Sequence, residues 1–271
     1  MNYNSLKNIL ITGFYPKLSL EKILNNEYYI PLVSFCDIPL SEINEHSQDY
    51  GKYLIGLDKE KWGKNNNINP VHYIICENNN ELYNDLNNSI NQDLLEKIYG
   101  KNKTIRNRKE ELISLTLLDN ILGYLKEEKG NIIKNGKVIR KNKMFYYERE
   151  WRYIPKVEYD VIGRKSIILP KFLLLERKTN IKQLKGTATE IPKEDTKLKD
   201  GYNNRLKENH VLKFSPTDVK YIIVEKERQI PRFINYLSKL NQFGGNANIT
   251  IEDKKLLFSR LMSLNNIKND F

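Results

Sequence analysis

Met144-Phe145-Tyr146-Tyr147-Glu148-Arg149-Glu150-Trp151-Arg152-Tyr153-Ile154-Pro155 alternates aromatic and charged side chains. A period of two marks extended backbone, in which successive side chains point to opposite faces. Pro155 ends the run by withholding a backbone donor. Read as a strand, the stretch puts Glu148, Glu150 and Arg152 on one face and Tyr147, Arg149, Trp151 and Tyr153 on the other. Two carboxylates one repeat apart repel, which raises one pKa, and Arg152 opposes that rise. Such a group can bind a ribose hydroxyl or stabilise an oxocarbenium-like centre. The plainer alternative is a structural network, with the charges on an exposed face and the aromatics toward the core.

Upstream, Pro31 introduces Leu32-Val33-Ser34-Phe35-Cys36-Asp37-Ile38, a buried strand stopped by Pro39. Ser34, Cys36 and Ile38 share a face. Asp37 points the other way, beside the strand end, where a ligand would meet it. Ser34 and Asp37 are therefore candidate binding residues. Cys36 has no evident activating base in the sequence and reads as a small core residue. Ser41 opens a helical stretch in which His46 and Tyr50, four apart, share a face and present an imidazole and a phenol. His72 lies in the apolar run 71–76 and reads as a core or surface residue. His210 carries little information.

Further out, Leu18 to Leu24 reads as a short helix capped by Ser19, with Leu20, Ile23 and Leu24 on one face. Tyr53–Leu57, Val71–Cys76, Val211–Phe214 and Val219–Val224 read as strands. Asn135-Gly136, between Ile132-Ile133-Lys134 and Lys137-Val138-Ile139, signals a hairpin, because both residues tolerate positive φ. Leu82, Leu86, Ile90, Leu94 and Ile98, then Leu112, Leu115, Leu118, Leu122 and Leu125, trace two apolar helix faces. Pro231 suits the first turn of a helix through Leu240. Thr250 and Asp253 resemble a capping box for a last helix whose face includes Leu257, Leu261 and Leu264. The polar stretch 185–209 reads as a long mobile loop. The expected architecture is one α+β domain over 1–271, with a single mixed sheet as core and a helical insertion at about 80–128.

The chain has 271 residues, ample for a hydrophobic core, and its mean hydropathy is −0.62. No run approaches the ~18 apolar residues that span a bilayer, and the first residues lack the basic-then-apolar layout of a signal peptide. A cytoplasmic protein without membrane attachment is expected. Two cysteines exclude a disulfide scaffold and a cysteine zinc finger, and three scattered histidines argue against a metal site. The net charge of +11 invites nucleic acid as a partner. Lysine outnumbers arginine 34 to 11, however, and the positive charges are spread along the chain. That pattern fits an AT-rich genome better than a phosphate-gripping face. Walker, Gly-x-Gly-x-x-Gly, Gly-x-Ser-x-Gly and His-Glu-x-x-His patterns are absent.

Four pieces in order resemble the AbiGi-type abortive-infection, or phage-resistance, family of bacteria. They are Val33–Ser41; His46–Gly51 with Tyr53–Leu57; Asn69–Ile74; and Glu148–Tyr153, with a fainter likeness at Phe214–Val219. The resemblance implies the antitoxin half of a two-gene system, whose toxin partner looks like a nucleotidyltransferase. More remotely, a Ser-Phe strand followed by a Glu-x-Glu strand is similar to the ADP-ribosyltransferase fold. That likeness implies Ser34 in an NAD pocket and Glu148 and Glu150 at the ribose. No arginine or histidine precedes Ser34, where that superfamily places its first motif.

Three readings follow. The first is a phage-defence protein that binds a cognate toxin, or its target, through the polar strand face, a reading that implies no particular cofactor. The second is an NAD-using, ADP-ribosyltransferase-like effector. In it Glu150 stabilises the ribosyl cation, Glu148 orients the acceptor or ribose, and Arg152 or His46 holds a phosphate. The third is a basic nucleic-acid binder, which would bind with steep salt dependence.

Overall fold

The computed structural model describes residues 1–23, 26–77, 80–88, 121–134, 137–156, 159–160, 165–166, 169–170 and 196–270. The chain divides into two compact units. One comprises Met1–Pro16, Phe35–Asn69 and Lys207–Phe271, the other Lys17–Ser34 and Pro70–Leu206. Among the described residues the helices are α1 (Tyr3–Thr12), α2 (Ile43–Tyr50), α3 (Glu81–Asn88), α4 (Thr196–Asn209), α5 (Ile230–Ser238), α6 (Ile251–Ser259) and α7 (Leu264–Asp270). The strands of three or more residues are β1 (Lys17–Ile23), β2 (Asn26–Cys36), β3 (Leu54–Leu57), β4 (His72–Ile74), β5 (Leu125–Glu127), β6 (Lys129–Lys134), β7 (Lys137–Met144), β8 (Glu150–Tyr153), β9 (Val219–Val224) and β10 (Leu261–Ser263).

The first unit starts with α1, which sequence patterning did not flag. The Asn2 side chain accepts from the Ser5 amide at 2.8 Å and caps it. Leu6 and Leu10, four apart, are its buried residues. Gly13 ends it at φ 79, a left-handed turn that glycine takes without Cβ strain. Phe14 then pairs with Leu212, and its ring joins those of Trp62, Phe214 and Phe35 at 5.3–6.3 Å. The Trp62 indole donates to the Lys213 carbonyl at 2.9 Å, so the buried ring keeps a partner for its one polar atom. Gly244, at φ 57, lies so close to this cluster that a Cβ would overlap the Phe214 carbonyl.

β9 is the centre of a three-stranded sheet, parallel to β10 and antiparallel to β3. α5 carries a proline in its first turn and buries Phe233 and Leu237. The Thr250–Asp253 capping box opens α6 as expected. The expected continuous last helix is corrected. α6 stops at Ser259, and Leu261–Ser263 instead pairs with Ile222–Val224. A ladder to a buried central strand outweighs continued helix propensity there.

In the second unit, β1 and β2 form an antiparallel hairpin in register from Lys17↔Leu32 to Ile23↔Asn26. This corrects the expected helix at Leu18–Leu24, of which Leu24 lies outside the described residues. Leu20 and Ile23, placed there on one helix face, differ in the strand: Leu20 is 41% exposed and Ile23 is buried. Pairing along the whole strand overrides the apolar spacing. β2 is flanked on its other side by β8. β4 and β5 pair in parallel, and β6 and β7 form an antiparallel hairpin. The Asn135-Gly136 turn lies outside the described residues, but Lys134 and Lys137 on either side of it are paired. Ile23, Tyr28, Ile30, Leu32, Ile74, Tyr83, Leu122 and Leu125 make one core cluster.

α4 occupies 196–209, where the sequence suggested loop; residues 185–195 lie outside the described residues. The helix is held by particular contacts rather than by propensity. Leu206 is buried. Asn203 Oδ1 accepts from the Leu18 amide at 2.9 Å, and Lys199 lies 4.5 Å from the centre of the Tyr29 ring. Of the expected helical insertion, α3 is helical and Leu125 is in a strand, while 89–120 lies outside the described residues. The chain is thus α+β, but its strands form several small sheets rather than one mixed core. The short strands pair within local groups, and β9, expected to resume a common sheet, centres its own.

Candidate functional site

β8 turns its charged face inward. Arg152 is 0%, Glu150 4% and Glu148 5% exposed, whereas Tyr147 is 69% exposed. The plainer alternative, with charges on an exposed face and aromatics toward the core, is therefore reversed for these residues. Glu148 is also not on the strand. Phe145–Glu148 is a 3-10 turn, and Arg149, at φ 45, swings the chain into β8. The three predicted residues do come together, but through a turn and shared cations rather than through a strand repeat.

Glu150 is the hub. Its Oε1 accepts from Ser34 Oγ and from Arg152 Nε, each at 2.7 Å. Its Oε2 accepts from Lys126 Nζ, and its amide donates to the Tyr73 hydroxyl at 2.9 Å. Arg152 spends the rest of its fork on Glu21 Oε2 at 2.8 Å and the Gly123 carbonyl at 2.9 Å, the multidentate use for which guanidinium is suited. Lys126 also lies 3.5 Å from Glu148 and 4.5 Å from the centre of the Phe145 ring. Lys143 closes the group with a 2.8 Å pair to Glu148. Among the described residues, Glu21, Glu148 and Glu150 thus face Lys126, Lys143 and Arg152.

These neighbours hold Glu150, Lys126 and Arg152 in their charged forms. Burial pushes the Glu150 carboxyl up, but the charges of Arg152 and Lys126 and their hydrogen bonds outweigh it and bring it down to about 2. Burial likewise disfavours the Lys126 ammonium, yet Glu150, Glu21 and Glu148 together raise its pKa. Arg152 is raised by Glu21 and Glu150 against the same burial. Tyr73 is raised chiefly by burial.

Ser34, Glu148, Glu150 and Arg152 share this cluster. Asp37, His46 and Tyr50 belong to the other compact unit. Asp37 accepts from Lys59 Nζ at 2.6 Å. His46 and Tyr50 do share a face of α2, their rings stacked 4.7 Å apart. Cys36 Sγ lies 3.2 Å from His46 Nε2, a partner that sequence reading did not supply. Glu21, Lys126, Lys143 and Tyr73 were likewise missed. One signal was available: two carboxylates on a buried face need more cation than one arginine. Among the described residues no group of His, Cys, Asp and Glu is placed to hold a metal ion, and no helix is long and apolar enough to cross a membrane.

Over residues 16–225 the chain matches the family described as "Putative abortive phage resistance protein AbiGi, antitoxin". It is similar to the abortive phage resistance protein AbiGi of Lactococcus lactis subsp. cremoris, 31% identical over 272 residues and covering 95% of each chain. No solved structure matches it.

Proposed function

The chain belongs to the AbiGi family of abortive phage resistance proteins, and on that footing we propose that it acts in the cytoplasm as an antitoxin, holding its toxin through the β6–β7 hairpin. The observation that carries this reading is the surface of that hairpin. Residues 129–144 contain five lysines, of which Lys143 is buried against Glu148 and Lys129 pairs with Glu77, together with Arg140 and no acid. Val138 and Ile139, adjacent on β7 and so on opposite faces, are 46% and 51% exposed. A two-stranded ribbon is marginal on its own, and exposed apolar residues ringed by polar ones are what interfaces cover. Tyr146 and Tyr147, 56% and 69% exposed, continue the surface. Tyrosine is enriched in binding patches, and the lysines select an acidic partner. In this reading the buried charge cluster is a frame. The Lys143–Glu148 pair ties β7 to the turn before β8.

The test is co-expression with a candidate cognate toxin. Wild type is expected to co-purify with the toxin and restore growth. V138D/I139D is expected to lose at least about tenfold in affinity, the scale of losing one interface hot spot, with its melting unchanged. Equal capture of the double variant would sink the role of the hairpin. Retention of nucleic acid, lost steeply with salt, would reassign the hairpin to that partner.

A second reading rests on one contact, the 2.7 Å hydrogen bond from Ser34 to Glu150. It brings together the strand serine and the glutamate to which the ADP-ribosyltransferase likeness assigns the NAD pocket and the ribose. Here Glu150 supplies negative charge to a ribosyl cation, Ser34 holds it, Glu148 orients the acceptor, and NAD is the cofactor. NAD turnover and label transfer in infected-cell extract, present in wild type and absent in E150Q, would support it. No turnover by folded wild type would end it.

A further inference from the structure

Cys36 is the last residue of β2, and His46 stands on α2 in the same compact unit. Pro39 and the 3-10 turn Leu40–Glu42 connect the two elements, and Nε2 lies 3.2 Å from Sγ. Tyr50, one helical turn further on, stacks on the imidazole at 4.7 Å with the planes 28° apart, which fixes the orientation of the ring. A nucleophile within hydrogen-bond reach of a base, with that base oriented by a third group, is the arrangement that activates a side chain for attack. Asp37, next to Cys36, is bound to Lys59. Glu42, Glu45 and Asp49 are the acids of the connecting turn and of α2.

We propose that Cys36 is a reactive thiol, held as thiolate beside the His46 imidazolium, and that hydroperoxides are the reagents it meets. Cys36 is half-buried and Tyr50 is 36% exposed, so a small peroxide has an approach. In the step, the thiolate attacks one peroxide oxygen. An S–O bond forms, the O–O bond breaks, and the leaving oxygen takes the proton of His46. The products are the Cys36 sulfenic acid, water or an alcohol, and neutral His46. Sulfur gives up two electrons, and the peroxide accepts them.

The other cysteine is an internal control. Burial, aided by the charge of Glu127, pushes the Cys76 thiol up to about 11. It is therefore a poor nucleophile near neutral pH.

The experiment treats the full chain with hydrogen peroxide and dimedone and locates the label by peptide mass spectrometry. A second arm follows iodoacetamide alkylation of each cysteine from pH 5.5 to 9 in wild type and H46Q. Cys36 should take the dimedone label and Cys76 should not. The Cys36 alkylation midpoint should lie below the ordinary thiol value of about 8.5, and H46Q should slow it about tenfold at pH 7. Equal labelling of the two cysteines, or a Cys36 midpoint at or above about 8.5, would overturn the proposal. If H46Q melts early, the wild-type midpoint alone decides.

Discussion

Replacing Arg152 with methionine is expected to destabilise the second unit by about 3–5 kcal/mol, the range for removing one partner of a buried ion pair. The side chain is fully buried and serves Glu150, Glu21 and the Gly123 carbonyl at once. Methionine matches much of its volume, so packing loss is the smaller part. The cost comes from the groups left behind. Glu150 keeps Lys126 and Ser34, but Glu21 loses its Arg152 pair, and the Gly123 carbonyl loses its close donor. Lysine is not a conservative replacement, because one ammonium cannot reach all three acceptors in the fork geometry. R152K is therefore expected to fall between wild type and R152M. Urea denaturation followed by circular dichroism gives both numbers. A loss under about 1 kcal/mol for R152M would show that the network contributes no more than an exposed pair does.

The alternation at Tyr147–Tyr153 correctly marked which residues belong together, but it could not say which face is inside. That depends on partners far away in sequence: Glu21, Ser34 and Lys126 lie 24 to 131 residues from the residues they bind. Without them a charged face reads as solvated. The same limit explains the first hairpin. Leu20, Ile23 and Leu24 fit a helix by spacing, and only the β2 partner makes Leu18–Ile23 a strand. Features set by neighbours in the chain were legible. Thr250 caps α6 in a box completed by Asp253, Pro231 lies in the first turn of α5, and Lys134 and Lys137 pair on either side of Asn-Gly. The signal for α1, Asn2 followed by Leu6 and Leu10, is weaker because its apolar run is short. The Cys36–His46 pair was not legible, because strand and helix periodicities say nothing about how an intervening turn aims one at the other.

Acid should dismantle the same cluster through Glu150, and the sign follows from the direction of its shift. The folded carboxyl titrates at about 2 against an ordinary 4.5. Between those values the unfolded chain binds the proton and the folded chain does not, so stability rises with pH. The contribution is fully present above 4.5 and is lost as pH falls toward about 2. Its full size is on the order of 3 kcal/mol, with about 2 kcal/mol of it lost between roughly pH 5 and 3. E150Q removes this titration. Near neutral pH it should be several kcal/mol less stable than wild type, because Lys126 and Arg152 then stay buried with one counter-charge fewer. As pH falls, the wild type should approach the variant, since protonating Glu150 produces nearly the same neutral group. Urea midpoints for both proteins at pH 7, 5, 4 and 3 would show the gap closing by about 2 kcal/mol. Parallel profiles would mean that Glu150 is not held ionised by its neighbours. Both the frame reading and the ribosyl-cation reading would then lose the fixed negative charge on which they depend.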